Sequence, residues 1–310
     1  MRVAVLGGGG FIGSAIVDRL LQDDHHLRIL ERPRVEPYRS FLPSEGVEWL
    51  TGDLMNAHDA AAAIADVDVV LHLVSTTIPA SSKDDPVFDI MSNLVSSVQL
   101  LNLMVAGNVR KIVFISSGGT VYGKPIYLPI DEKHPTDPCV PYGITKLAIE
   151  KYSLMFQQIY GMQATILRVT NPFGTRQRPE TGQGAICTFL SRALQGRPVE
   201  IWGDGSVVRD YLYVSDVAEA FACAVGYDGE RSVFNISSGV GVSLDEVIGL
   251  VEQVIGRQVV REYRAGRPFD VPVSILDNSL ARQELGWEPR VGLADGIART
   301  ADWMREVLGQ

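Results

Sequence analysis

The sequence predicts an α/β fold: a Rossmann-type doubly wound parallel sheet followed by a smaller mixed α/β C-terminal domain. Three observations predict it. Nearly continuous runs of Val, Ile and Leu alternate with helical patterns over the first 170 residues, and strands that are apolar on both faces belong to parallel sheets covered by helices on both sides. A glycine-rich turn, GGGGFIGS, joins the first run to the first helix. Beyond Asn171 the texture changes to NPFGTRQRPETGQG, a loop rich in Gly, Pro and Arg, and then to shorter mixed segments.

Taken in order, strands are expected at VAVLG (3–7), HLRIL (26–30), VEWLTGD (47–53), VDVVLHLV (67–74), KIVFISS (111–117) and ATILRVT (164–170). Helices are expected from Ser14 to Gln22, through AHDAAAAIAD, over about 87–106, and from Tyr142 to Ile159, where apolar residues recur at helical spacing. A boundary at 170/171 gives a first domain over 1–170 and a second region over 171–310, partly interwoven with the first.

Composition excludes several function classes. The 310 residues are 46% hydrophobic and 21% charged, as in an ordinary globular chain. A net charge of −9 speaks against nucleic acid or an anionic membrane surface as partner, since either calls for a basic face. Any anionic ligand must be held by a few placed arginines or helix ends. Cys139, Cys187 and Cys223 are widely spaced without a CxxC pattern, so neither a disulfide framework nor a metal site is expected, and a reducing cytoplasm is the simplest location. The chain enters a strand at once, leaving no room for a leader's charged and apolar regions, and no uninterrupted apolar run reaches the ~18 residues of a membrane span.

Gly7, Gly10 and Gly13, with Phe11 and Ile12 between the last two, lie after a strand and before a helix. Glycines allow the tight turn, and the helix N-terminus offers backbone N–H groups and partial positive charge to a pyrophosphate. Glu31 ends the second strand, where a carboxylate accepts hydrogen bonds from both ribose hydroxyls and repels a 2′-phosphate, favouring NAD over NADP. Arg32 and Arg34 follow and work against that preference. Asp53 and Leu54 in GDL, Leu73 and Val74 in HLVS, and Ser116 at the end of the fifth strand stand at successive strand C-termini, where open α/β sheets bind ligands.

Tyr142 and Lys146, in CVPYGITKLAIE, are spaced to share one helix face. A tyrosine of pKa about 10 is a poor base at neutral pH. The lysine beside it, together with a positive nicotinamide, is expected to lower that pKa and make the phenol a base for oxidising a hydroxyl.

With these residues in place, the sequence resembles the extended short-chain dehydrogenases/reductases, and within them the NAD-dependent sugar-nucleotide epimerases and dehydratases. The resemblance covers nearly the whole chain: GGGGFIGS at 7–14, GDL, HLVS, ISSGGTVYG at 115–123, PYGITKLAIE, LRVTNPFG at 167–174, IWGDGSVVRDYLYVSDVA at 201–218 and DNSLARQELGWEP. It implies that Tyr142 and Lys146 are catalytic, that Lys146 also bonds the nicotinamide ribose, and that Asn93 lies near the active site. It implies nucleotide-sugar contacts from Asn171, Arg209, Tyr211, Arg267 and Asp270, in a substrate region over 171–310, and a homodimer packed through the helices near 87–106 and 142–159.

One departure stands out. Where the family usually has Ser or Thr four residues before the Tyr of VYG, this chain has Gly118; Ser117 is favoured to supply the hydroxyl, with Thr120 as the alternative. The acidic pair that dehydratases carry after that position is absent from Gly118–Gly119–Thr120, so the resemblance implies a nucleotide-sugar 4-epimerase that oxidises C4 and reduces it again from the other face. Ser274, four residues after Asp270, is small, which resembles enzymes admitting N-acetylated sugars and is equally the mark of a core-facing strand residue. A nucleotide-sugar reductase or dehydratase and a non-catalytic NAD-binding regulator remain as alternatives.

Overall fold

Seven parallel strands form the central sheet of the computed structural model, which describes residues 1–33, 35, 37–181, 184–266 and 271–308. The elements of the first part are β1 (Arg2–Leu6), α1 (Phe11–Leu21), β2 (His26–Glu31), β3 (Val47–Thr51), α2 (Ala57–Ile64), β4 (Val69–His72), α3 (Pro86–Asp89), α4 (Ser96–Ala106), β5 (Lys111–Ser117), α5 (Pro141–Tyr160) and β6 (Gln163–Val169). A π-helical turn, Ile90–Val95, joins α3 to α4, so residues 86–106 run as one helix. After β7 (Asn171–Phe173) come α6 (Ala185–Leu194), β8 (Val199–Trp202), β9 (Val208–Tyr213), α7 (Val214–Gly226), β10 (Val233–Ile236) and β11 (Gly241–Ser243). They are followed by α8 (Leu244–Ile255), β12 (Arg261–Arg264), β13 (Val273–Ser274), α9 (Ser279–Leu285) and α10 (Leu293–Leu308).

The central order is β10-β6-β5-β4-β1-β2-β3. Val3, Ala4, Val5 and Leu6 of β1 are all fully buried, as the unbroken apolar run requires of a strand covered on both faces. One face packs on α1 and α7, with Trp287 sealing its edge; the other packs on α2, α4 and Phe156 of α5. The edge strand β10 comes from beyond residue 171, in register with β6 from Val233 opposite Ile166 to Ile236 opposite Val169. A second core, around β9, is enclosed by α6, α8 and α10.

Two boundaries follow from local chemistry. Helix α1 starts at Phe11, three residues before its expected start, because extended Gly10 serves as N-cap and its carbonyl accepts the first helical bond from Ser14 N at 2.8 Å. Helix α5 has Pro141 in its first turn and ends at left-handed Gly161, the asymmetry favoured at helix ends.

Beneath α5, Arg168 of β6 donates to Glu150 Oε2 through Nη2 at 2.6 Å and to the Tyr122 hydroxyl through Nη1 at 2.9 Å. Tyr122 in turn donates to Asn235 Oδ1 at 2.6 Å, reaching β10. Both charges of the pair are buried, so each exists at the expense of its hydration and depends on its partner. Replacing Arg168→Met alone is expected to lower unfolding free energy by about 3–5 kcal/mol in urea titrations, and Arg168→Met with Glu150→Leu to recover most of that loss.

Candidate active site

The turn after β1 is closely packed. Gly7 takes φ +87°, which glycine adopts without strain. A Cβ on Gly13 would lie 2.2 Å from the Gly7 carbonyl oxygen, so only glycine lets α1 pack this tightly on the turn. A Cβ on Gly9 would lie 2.7 Å from the Trp49 ring and 3.1 Å from Glu31 Oε2. The first-turn N–H groups of Phe11, Ile12 and Gly13 precede the first helical hydrogen bond and face outward, as an anion-binding helix end requires. Glu31 accepts from Gly9 N at 3.1 Å and from Arg32 N at 3.2 Å, while burial pushes its carboxyl above the usual range. A cradle that side chains would fill, a helix end and a carboxylate at the next strand end fit the diphosphate and ribose of NAD.

The other predicted cofactor residues divide. The backbone at Leu73 and Val74 lies against Gly7: Val74 N is 3.4 Å from where a Gly7 Cβ would be. Asp53 turns one carboxylate oxygen to Met55 N at 2.9 Å, and Leu54 is buried in the core. The Ser116 hydroxyl donates to Glu150 beneath the site. Asn93, in the π-helical turn, accepts Thr76 N at 2.9 Å and donates to Asp89 at 3.0 Å, so its amide is engaged by the segment after β4 and by α3. Trp49 was not singled out by the sequence reading, because nothing in β3 distinguishes it from a core aromatic.

Tyr142 and Lys146 stand in the first turns of α5 over β5. Lys146 is 3% exposed; its Nζ donates to the Ile115 carbonyl at 3.1 Å, lies 4.8 Å from the Phe114 ring centroid and 5.7 Å from that of Tyr142. Burial lowers the ammonium to about 8, with the carboxylates of Asp89 and Glu150 opposing the shift. Burial pushes the Tyr142 phenol up to about 12, a hydrogen bond with the Ser75 hydroxyl works against this, and Asp89 adds to it. The expected lowering by Lys146 together with the nicotinamide concerns the coenzyme-bound site; among the protein's own groups, loss of phenolate hydration raises the phenol.

The hydroxyl question at Gly118 has a packing answer. A Cβ on Gly118 would lie 2.3 Å from Leu276 Cδ1 and 3.0 Å from the Arg168 carbonyl oxygen, so Leu276 occupies the space a side chain would need. Ser117 ends β5, its carbonyl accepting Val121 N at 3.2 Å. Thr120 backs onto Gly143, next to Tyr142, and its enclosed hydroxyl has no hydrogen-bond partner among the described residues. Ser75, which meets the phenol, went unnoticed in the sequence because a serine at a strand end carries no signal by itself.

A second cluster opens where β6 passes into β7. Asn171, Arg209 and Tyr211 line one cavity with Phe173, Trp202 and Ile186. Asn171 Nδ2 donates to the Asp210 carbonyl at 2.8 Å, and Arg209 Nη1 to the Val271 carbonyl at 2.6 Å. The Tyr211 hydroxyl is buried without a partner among the described residues, an orphan that a ligand's polar group would satisfy. Ser274 is buried on β13, in register with Arg209. Arg267 and Asp270 lie outside the described residues.

The buried Lys146 predicts a stability effect with a defined sign. Its folded-state pKa of about 8 lies below the unfolded 10.5, so its stability contribution is fully present above 10.5 and is lost as pH falls to 8. At pH 7 the charge costs about 3 kcal/mol. Lys146→Met is expected to raise the Tm of the coenzyme-free protein at pH 7 in scanning calorimetry, with the advantage fading as pH rises from 8 to 10.5.

Comparison with known proteins agrees with this geometry. The family model described as "NAD dependent epimerase/dehydratase family" matches residues 3–237. A UDP-glucose 4-epimerase of Mycolicibacterium smegmatis is 38% identical, over 98% of this chain and 99% of the relative. The UDP-glucose 4-epimerase of Thermus thermophilus in complex with NAD superposes with a TM-score of 0.88 at 34% identity, over 98% of this chain and 99% of that one. The UDP-N-acetylglucosamine 4-epimerase of Methanobrevibacter ruminantium superposes with a TM-score of 0.92 at 29% identity, over 99% and 98%. A turn shaped for a dinucleotide, a tyrosine and lysine on one helix over the central sheet, and relatives matched along their whole length lead to one conclusion: the chain belongs to the NAD-dependent epimerase/dehydratase family.

Proposed function

We propose that the protein is an NAD-dependent nucleotide-sugar 4-epimerase. The observation that carries this reading is the Tyr142–Lys146 pair at the C-terminal edge of β5, the lysine buried and the tyrosine half-buried, in a chain whose Gly118–Thr120 loop offers no carboxylate for elimination. NAD, when bound, supplies the hydride acceptor at C4, the same hydride in return, and a positive charge that favours phenolate. Tyr142 takes the proton of the C4 hydroxyl as the sugar becomes a 4-ketone, and gives it back after the ketone has turned its other face. Lys146 holds positive charge beside the phenol and, from its seat at the Ile115 carbonyl, reaches toward the ribose. Ser75 acts on the phenol, and Ser117 is assigned to the sugar oxygen, with Thr120, whose enclosed hydroxyl has no partner among the described residues, as the alternative.

At the other end, Arg209 is assigned to the diphosphate, which an acidic protein must meet with placed guanidinium groups. Asn171 and Tyr211 complete the contacts from the same cavity wall. Uridine diphosphate sugars are the proposed substrates, in line with the names of the relatives. The short side chain of Ser274 leaves room at C2, so UDP-GlcNAc and UDP-GalNAc are included beside UDP-glucose and UDP-galactose. Free Cys139, Cys187 and Cys223 suit a reducing cytoplasm.

Two copies are proposed to join through α5 and the 86–106 helix. Ile144, Tyr152, Met155 and Ile159 form an exposed stripe at helical spacing on α5, and Val87, Ile90, Met91 and Val95 do so on its neighbour. Such a face on two adjacent helices is the kind that a second copy covers.

Purified protein without added cofactor is expected to invert C4 of UDP-GlcNAc and of UDP-glucose, followed by proton NMR. Inversion only when NAD is supplied would indicate an exchanging coenzyme, and none at all would overturn the assignment for these sugars. Sedimentation equilibrium is expected to show a dimer at micromolar concentration, and Ile144→Glu with Ile159→Glu to give a monomer; an unchanged dimer would place the interface elsewhere.

A further inference from the structure

Among the buried charges that the mechanism leaves unused, one lies beside the Tyr142–Lys146 pair. Asp89, the last residue of α3, is fully buried. Its Oδ2 accepts the Thr145 hydroxyl at 2.5 Å, and Oδ1 accepts Asn93 Nδ2 at 3.0 Å and the Thr77 hydroxyl. These three donors come from α5, the π-helical turn and the segment after β4. A carboxylate taken out of water is costly, and here hydroxyl and amide donors hold it while it acts through space on Lys146 and Tyr142.

We propose that Asp89 is a positioning residue for the Tyr142–Lys146 pair, acting from both sides of the phenol. On one side, Thr145 stands between Tyr142 and Lys146 on α5, so its bond to Asp89 fixes the rotation of that helix turn. On the other, Thr77 is held to Asp89 by its hydroxyl, and the Thr77 carbonyl accepts the Ser75 hydroxyl at 3.0 Å, which holds Ser75 in the neighbourhood of the phenol it acts on. Asn93 braces the same segment, donating to Thr77 Oγ1 at 3.1 Å and accepting Thr76 N at 2.9 Å. The wider turn at 90–95 sits where this frame closes, as π-turns often do beside functional groups. The charged and titratable groups around the pair are Asp89, Glu150 and His72 near Lys146, with Arg168 of β6 bonded to Glu150; of these, Asp89 is the carboxylate that acts on the phenol.

The inference rests on the proposed role of Tyr142, and the test separates the two. Asp89→Asn keeps the shape and removes the charge; it is expected to lower kcat on the order of 10–100-fold with KM within about threefold, since small misplacements of a catalytic group carry costs of this size. The acid limb of its pH–kcat profile is expected to move to lower pH, because a negative charge opposing phenolate is gone. Thr145→Val removes one donor and is expected to lower kcat about tenfold, with Thr145→Ser restoring most of it. Independently of turnover, the ultraviolet titration of Tyr142, assigned by its loss in Tyr142→Phe, is expected to begin at lower pH in Asp89→Asn while circular dichroism stays native. If Tyr142→Phe is inactive but Asp89→Asn and Thr145→Val match wild type in kcat and titration, the role of Asp89 is overturned alone. If Tyr142→Phe turns over at the wild-type rate, the base assignment falls, and the positioning role falls with it. If wild type converts no nucleotide sugar, an unshifted phenol titration in Asp89→Asn overturns the inference and a shift to lower pH upholds it.

Discussion

A lysine ammonium held almost out of water between α5 and β5 is the constraint around which the site is arranged. Its Nζ has the Ile115 carbonyl and the Phe114 ring for neighbours, which are poor replacements for hydration. The surrounding charges answer this: Asp89 and Glu150 both favour the ammonium, and Arg168 anchors Glu150 from β6. The pair beneath the helix and the carboxylate beside it thus serve a cation that the core would otherwise reject. Natural active sites commonly set stability against function in this way.

The same closure governs Tyr142. A half-buried phenol resists ionisation, and the protein's own groups leave it high. A base of that kind gains from the further positive charge a seated coenzyme brings, which suits an enzyme that must oxidise a hydroxyl with its coenzyme in place. Gly118 fits the same economy of space: Leu276, from the C-terminal region, fills the volume where a side chain would stand.

What the sequence could display was whatever depends on near neighbours along the chain. The glycine turn is legible because strand, turn and helix are consecutive. Tyr142 and Lys146 are legible because four residues is one helical turn, whereas Arg209 and Tyr211 are marked only by the resemblance of the segment that carries them. Asp89 was not legible: within PVFDIMSNLV it reads as a lone acid in an apolar helix, and its three donors lie on separate elements. Ser75 and Trp202 were missed for the same reason, since each becomes a site residue only through partners far along the chain.

The chain by itself determined the parallel sheet, the coenzyme turn and the spacing of the pair, because periodicity and backbone conformation are written locally. Tertiary structure decided that β10 returns to the first sheet, that burial raises the phenol among the protein's own groups, and that Leu276 occupies the space at Gly118. These depend on which distant segments exclude water from a given group, and burial is a property of the packed molecule that no short window of sequence carries.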